Sequence, residues 1–397
     1  MMNNICQYRR VVIMGLGLHG GGVGAANFFV KQGCDVLVTD LRRKKELKES
    51  LSKLKKVKFV LGKHRKEDFT NADLIIRNPG VPRESKYLKI AEEHNIPVKT
   101  DIDIFFDLYK GKIIGITGTK GKSTVATLIY QLLKKKYKNV YLAGNIGKSV
   151  FDIIDKKGIA VLELSSFELE YLKKSPHIAL ITNLFPDHLN RYKSFKHYVE
   201  AKKSIFKYQS KNDILILNKD IKFKGKGRTY YFDGSNISAA ETIAKIMKVK
   251  NMGKIIKSFK GIPHRQEFIC EKKGVKYYND TAATNPEAVI MALKRFKNVV
   301  LIAGGEDKNL KYGRLAKEIK KLPFVILFPG TASDKLKKHL KGFKIYNVKT
   351  MKQAVKKANS LAKPGDTVLL SPGAASFNMF KNEFDRGDQF IKAVKNG

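Results

Sequence analysis

The run Gly118-Thr119-Lys120-Gly121-Lys122-Ser123-Thr124 has the residue types that a phosphate-binding turn requires. Glycines let backbone N–H groups turn inward around phosphate oxygens, and a following helix N-terminus adds positive potential. In such a loop Lys122 reaches the β- and γ-phosphates of ATP, and the hydroxyl of Ser123 or Thr124 ligates Mg²⁺. The spacing is not a strict Walker A, because Ile116 stands where the first glycine belongs and Gly115 lies one residue back. Context supports the reading. Ile113–Thr117 is a strand pattern, and Ser123–Leu133 has helical apolar spacing.

A second set of polar residues falls at strand ends. Glu163 closes the apolar run Ala160–Leu164, and Asn183 closes Ile178–Asn183, with Asp187-His188 just beyond. The carboxyl edge of a parallel sheet is where α/β proteins bind ligands. A lone histidine is more often structural or solvated than a ligand, but a phosphate loop and a strand-end glutamate nearby reverse that expectation for His188. Further upstream, Gly15-x-Gly17-x-x-Gly20 follows the strand Val11–Met14, and Asp40 ends the strand Asp35–Asp40. That is a dinucleotide fingerprint. Alone it suggests NAD and an oxidoreductase, although a single GxGxxG does not choose between nucleotides.

The elements that must position these residues read as α/β throughout. At 397 residues the chain suits two or three domains. Strand patterns at Val11–Met14, Asp35–Asp40 and Leu74–Ile76 form a doubly wound unit that includes the Asn78-Pro79-Gly80 turn. A second unit opens near Lys112. A third follows Gly261, with strands at Val299–Ala303, Val325–Phe328 and Thr367–Leu370. The expected fold is three α/β domains in series. They are a Rossmann-like N-terminal domain at 1–108, a P-loop-type central mononucleotide-binding domain at 109–260, and a Rossmann-like C-terminal domain at 261–397. No internal repeat or low-complexity linker interrupts them.

Composition bounds the function classes. A hydrophobic content of 43% is that of a globular protein. The net charge of +42 raises nucleic acid as a partner. The lysines are spread along the whole chain with no separate basic arm, which favours a lysine-biased composition over RNA binding. Cys6, Cys34 and Cys270 are odd in number and far apart, as in a reducing compartment. The first apolar run breaks at once into glycines and reads as a strand, not a signal peptide, and no segment has membrane-span length. A cytoplasmic protein without membrane insertion is expected.

The chain resembles the Mur ligases of peptidoglycan synthesis, and among them the branch that adds D-glutamate. Matching stretches run from the first strand to the last helix. They are Gly144-Asn145-Ile146-Gly147, Glu163 to Glu170, Asp187 to Tyr192, Gly261-Ile262-Pro263-His264-Arg265, Asn279 to Asn285, Gly304-Gly305-Glu306-Asp307-Lys308, and Ser371 to Gly387. Their order and spacing are more specific than any one motif.

The resemblance implies a reaction. ATP phosphorylates the alanyl carboxylate of UDP-N-acetylmuramoyl-L-alanine (UDP-MurNAc-L-Ala), and the amine of D-glutamate attacks the acyl phosphate. A tetrahedral intermediate then expels phosphate. Lys122, His188 and Lys202 are the implied catalytic residues. ATP contacts fall on Gly118 to Thr124, Asn145, Asn236, Arg265 and Asp280. One Mg²⁺ is implied between Ser123 and Glu163, and a second at His188. Lys202, in Tyr198-Val199-Glu200-Ala201-Lys202, matches a carbamylated lysine. An ammonium repels Mg²⁺, whereas a carbamate supplies anionic oxygens.

The glycine-rich crevice is thereby assigned to the UDP end of the substrate instead of NAD. Leu18 and His19 lie by the diphosphate and Asp40 and Arg42 near the uracil, with Asn78, Gly80 and Asn145 as further substrate contacts. Thr284, Lys308, Ser376 and Phe377 match positions that hold D-glutamate, and Lys308 is the natural partner of a carboxylate. A monomer acting on small molecules, with no nucleic acid, is implied.

Departures from the family pattern occur at several positions. Ala282 stands where some members have lysine. Glu383 aligns with an aromatic position, and Phe384 follows it. Asn236 is followed by Ala239 instead of a second asparagine, and Lys120 replaces a frequent asparagine. The central domain is trimmed between Leu217 and Asn236. A Mur-type ligase adding another amino acid is the alternative, against which the run Ser371–Phe377 favours D-glutamate.

Overall fold

Long runs that are apolar on every residue, not alternate ones, build strands buried on both faces, and such strands belong to parallel sheets covered by helices. That is the architecture of the computed structural model, which describes residues 8–17, 20–146, 148–188, 191–259, 261–307, 310–377 and 379–396. The chain divides into two compact units, Met1–Ser258 and Phe259–Gly397.

The first unit holds two sheets. Strands β1 (Arg10–Met14), β2 (Asp35–Asp40), β3 (Lys58–Leu61), β4 (Leu74–Arg77) and β5 (Val98–Lys99) pair in the order β3-β2-β1-β4-β5. All pairings are parallel. The order reverses between β1 and β4, so their carboxyl ends open a ligand crevice at a topological switch point. Strands β6 (Lys112–Thr117), β7 (Val140–Gly144), β8 (Ile159–Glu163), β9 (Ile178–Ile181), β10 (Ile214–Asn218) and β11 (Arg228–Phe232) form a second parallel sheet ordered β11-β10-β9-β6-β8-β7. Strand β6 thus lies between β8 and β9, and all three end on one edge.

Residues on both sides of 108/109, from the two sheets, share one hydrophobic cluster. The helix Gly21–Lys31 presents Phe28 to Phe151 of the turn Val150–Ile153, with stacked rings 4.5 Å apart. Glycine at position 24 permits this approach, since a Cβ there would overlap the Ser149 hydroxyl.

The second unit has one sheet in the order β12-β13-β17-β14-β15-β16. Its strands are β12 (Glu267–Lys272), β13 (Val275–Asn279), β14 (Val299–Ala303), β15 (Val325–Leu327), β16 (Ile345–Asn347) and β17 (Thr367–Leu370). An antiparallel β12–β13 hairpin edges an otherwise parallel sheet. Lys273 and Gly274 make its turn with φ of 50° and 74°, the left-handed pair that two-residue hairpins favour. Apolar clusters cover both faces of the sheet. Among the described residues, no helix is long and apolar enough to cross a membrane.

Candidate active site

The phosphate loop leaves β6 and enters the helix Lys122–Lys134. Two of its glycines are required by shape. Gly118 has φ 143° and Gly121 has φ 84°, and a Cβ would collide with Thr182 at the first and with the Asn236 amide at the second. The loop is tied to the end of β9. Thr119 N–H donates to Asn183 O (2.9 Å) and Lys120 N–H to Asn183 Oδ1 (2.8 Å), while Thr182 Oγ1 donates to Lys120 O (2.7 Å). Thr119 Oγ1 accepts from Phe185 N–H (3.0 Å) and from the Tyr198 hydroxyl (3.1 Å). The loop is therefore preorganised by neighbouring elements.

Three charges gather over it. Lys122 Nζ donates to Gly118 O (3.0 Å) and Thr119 O (3.3 Å). Lys202, on the helix Phe195–Lys207, is 1% exposed and donates to the same Gly118 O (2.9 Å) and to Thr117 Oγ1 (3.3 Å). Burial, with the Lys122 charge adding to it, pushes the Lys202 ammonium well below the usual lysine range. Glu163, at the end of β8, is 2% exposed; its Oε1 accepts from Asn145 Nδ2 (3.0 Å), and its Oε2 is buried without a hydrogen-bond partner.

His188 completes the group. It takes φ 53° beyond β9 and meets the Phe167 ring edge-on at 4.9 Å. Burial pushes its pKa below the ordinary value; the nearby Lys122, Lys202 and Lys120 charges reinforce this and Asp187 opposes it. The neutral ring is the form that ligates metals. Lys120 pairs with Asp187 at 3.6 Å. The structure thus brings together the loop residues 118–124, Asn145, Glu163, His188, Lys202 and Asn236.

At the crevice of the first sheet, Asp40 is 5% exposed and committed to the main chain. Its Oδ2 accepts from Leu16 N–H (2.9 Å) and Gly17 N–H (3.3 Å), and its Oδ1 from Arg42 N–H (2.8 Å). A dinucleotide enzyme points this carboxylate at a ribose; here it shapes the glycine turn and the Arg42 loop. Asn78 bonds Met14 O through its N–H (2.9 Å) and caps Gly80 N–H through Oδ1 (3.0 Å). Leu18 and His19 lie outside the described residues.

In the second unit two loops interlock. Asp280 directly follows β13 at 3% exposure and accepts from Ser371 Oγ (2.7 Å) and Gln266 N–H (3.1 Å), and burial raises its pKa to about 6. Gly373 N–H donates to Ala283 O (2.8 Å), and Ala375 exchanges backbone bonds with Glu306. Arg386, 1% exposed, ties both loops with bonds to Thr281 Oγ1 (2.9 Å), Thr281 O (3.0 Å) and Ala374 O (3.1 Å). Ser376 Oγ is buried without a hydrogen-bond partner, and Phe377 is exposed. Thr284 and Arg265 flank the interlocked loops in sequence; Lys308 lies outside the described residues. Glu383 O accepts from Thr281 Oγ1 (2.8 Å), and Phe384 stands edge-on to His264 at 5.5 Å.

Three family models cover the chain in series: "Mur ligase MurD-like, N-terminal domain" over residues 9–100, "Mur ligase middle domain" over 116–263, and "Mur ligase, glutamate ligase domain" over 264–373. The chain belongs to the Mur ligase family. It is 38% identical to the UDP-N-acetylmuramoylalanine--D-glutamate ligase of Borreliella afzelii, over 96% of this chain and 97% of that protein. The protein of that name from Roseiflexus sp. is also 38% identical, over 98% of each chain. Among solved structures, the UDP-N-acetylmuramate-alanine ligase MurC of Thermotoga maritima superposes with a TM-score of 0.59 at 18% identity, covering 98% and 99% of the two chains. The MurF ligase of that organism in complex with ADP gives 0.58 at 19%, covering 99% and 97%. These identities show the shared fold.

As a Mur ligase, the protein is an ATP-dependent, amide-forming enzyme that uses Mg²⁺. No group of three or more His, Cys, Asp or Glu among the described residues could hold a metal ion. The donor chemistry suits Mg²⁺ in another way. It prefers a few protein oxygens completed by phosphates and water, and the buried Glu163 Oε2, which has no hydrogen-bond partner, is an oxygen of that kind. Two arginines with no role assigned from sequence, Arg191 and Arg386, also carry contacts here; both fall in stretches that resemble the family, Asp187 to Tyr192 and Ser371 to Gly387.

Proposed function

We propose that the enzyme joins D-glutamate to UDP-MurNAc-L-Ala, forming ADP and phosphate in peptidoglycan precursor synthesis. The observation that supports this reading is the pair of lysines on Gly118 O in a phosphate loop, with the strand-end Glu163 acting electrostatically on Lys202. Near-full-length identity to ligases of that name supports the amino acid.

An alanyl carboxylate oxygen attacks the γ-phosphorus of ATP, and ADP leaves. Lys122 balances charge on the transferring phosphoryl oxygens, and loop N–H groups hold the others. The glutamate amine then attacks the acyl carbon, loses a proton, and the tetrahedral intermediate expels phosphate. Ser123, Glu163, His188 and a carbamylated Lys202 hold Mg²⁺ at two sites on this reading, and bound Mg²⁺ supplies electrostatic stabilisation of phosphoryl charge. Arg265 and Asp280 contact ATP, Asp280 through its ribose, and Thr284, Lys308, Ser376 and Phe377 hold D-glutamate. The glycine turn, Asp40, Arg42, Asn78 and Gly80 form the UDP crevice. Three domains, bounded at 108/109 and 260/261, act in a cytoplasmic monomer.

Phosphate release that requires both UDP-MurNAc-L-Ala and D-glutamate is the expected result. Release stimulated equally by L-alanine, or by RNA, would sink the reading.

A further inference from the structure

Arg191 joins the two sheets of the first unit at the edge where both candidate sites open. Its Nη1 donates to Gly80 O (3.1 Å), and its Nη2 to Pro79 O (3.2 Å) and Val81 O (3.2 Å). Arg77 Nη1 donates to the same Val81 O (2.7 Å). The Arg191 guanidinium also lies over the Phe167 ring, 4.7 Å from its centre. Phe167 in turn meets His188 edge-on at 4.9 Å and stacks with Tyr192 at 5.8 Å.

The other end of this turn touches the glycine loop. A Cβ on Gly15 or on Gly17 would lie 3.1 Å from an Asn78 atom, so Asn78 packs directly against both. One contiguous line of contacts therefore runs from the glycine turn through Asn78–Val81, Arg191 and Phe167 to His188. Each link is a packed ring, a hydrogen bond to a main-chain carbonyl, or van der Waals contact.

We infer that Arg191 is a positioning residue that holds the Asn78–Val81 turn in register with the His188 loop, so that a sugar nucleotide bound in the crevice presents its carboxylate at the phosphate loop. The inference rests on the proposed substrate. Only a guanidinium suits the position: it is planar enough to stack on Phe167 and has donors enough to reach three carbonyls, whereas an ammonium is a compact point charge. Acting through the turn, Arg191 sets where the substrate sits; it does not enter the chemistry.

The test compares wild type, Arg191→Lys, Arg191→Ala, Asn78→Ala and the Arg191→Ala/Asn78→Ala double variant in the full chain. Readouts are the KM of each substrate, kcat, calorimetric binding of UDP-MurNAc-L-Ala, and thermal melting. Arg191→Ala should weaken sugar-nucleotide binding about tenfold and lower kcat. The KM values of ATP and D-glutamate should move less than about twofold, because misplacement acts on one substrate. Arg191→Lys should recover part of the loss, and the double variant should lose less than the product of the single losses. Equal changes in all three KM values with a lower melting temperature would overturn the inference, as would strictly multiplicative losses. If wild type turns over no UDP-MurNAc-L-Ala, the proposed function fails instead. The strap is then read with UDP as the probe, and it fails only if Arg191→Ala binds UDP as wild type does.

Discussion

Lys122 and Lys202 donate to one acceptor, the carbonyl oxygen of Gly118, at 3.0 and 2.9 Å. Two ammonium groups at one carbonyl repel each other. Lys202 is the more buried, and burial, with the Lys122 charge adding to it, pushes its pKa well below the usual lysine range. A neutral buried amine is the form that adds to CO₂, with nitrogen bonding carbon and one proton released.

Lys202 should accordingly carry a carbamate in active enzyme. ¹³C-bicarbonate should produce a carbamate carbon resonance, absent in Lys202→Arg, and activity should fall on stripping CO₂. Lys202→Ala should lose about 10²–10³-fold in kcat, the scale of one removed electrostatic group. Density showing an unmodified Lys202 beside bound metal in active protein would refute the carbamate.

Glu163→Gln separates charge from shape. The Asn145 bond to the remaining carbonyl oxygen survives, while the unpartnered anionic oxygen is lost. Mg²⁺ half-saturation should rise and kcat should drop by about two orders of magnitude. Melting temperature should change little, since the Asn145 bond is kept. An unchanged Mg²⁺ titration would rule out Glu163 as a ligand.

Glu168 predicts a pH dependence of stability. Burial, helped by Asp101 and Glu163 and opposed by bonds from Ser165 N–H and Oγ (both 2.6 Å), raises its pKa from 4.5 to about 8. Asp101, raised by burial with Asp103 adding to it, faces it in the same seam with Arg77 as the opposing cation. The folded state therefore binds a proton that the unfolded chain releases. The resulting stability is full below pH 4.5, declines as pH rises, and is gone above about pH 8. Glu168→Gln, which keeps an acceptor for Ser165, should flatten denaturation midpoints across that window. A variant with the wild-type slope would contradict the assignment.

Arg386→Met should destabilise the chain by about 1–3 kcal/mol, because Thr281 O and Ala374 O lose a buried donor. The D-glutamate KM should rise with it, as the loops bearing Thr284 and Ser376 lose their tie. Chemical denaturation and steady-state kinetics would measure both. A small loss of stability at full activity would show the tie to be dispensable.

The local patterns were legible because their physics is local. The strand patterns at 35–40, 299–303 and 367–370 coincide with β2, β14 and β17, and the glycines at 118 and 121 announced a turn that other residues resist. The phosphate loop, Glu163 and His188 could be named from residue type and position at strand ends. Short or half-exposed strands were not separable from loops by pattern, among them β11, β12 and β16.

What the tertiary structure alone decided were the pairings between distant segments. That Lys202 shares an acceptor with Lys122, that Asp40 is consumed by the glycine turn, and that the first two sheets have one core follow from packing. So do the ties from Arg191 to Pro79 and from Arg386 to Thr281, each across roughly a hundred residues. A hydrogen bond across that separation leaves no periodicity in the chain. It exists only once the sheets have packed and the carbonyls of the Pro79–Val81 turn meet the guanidinium.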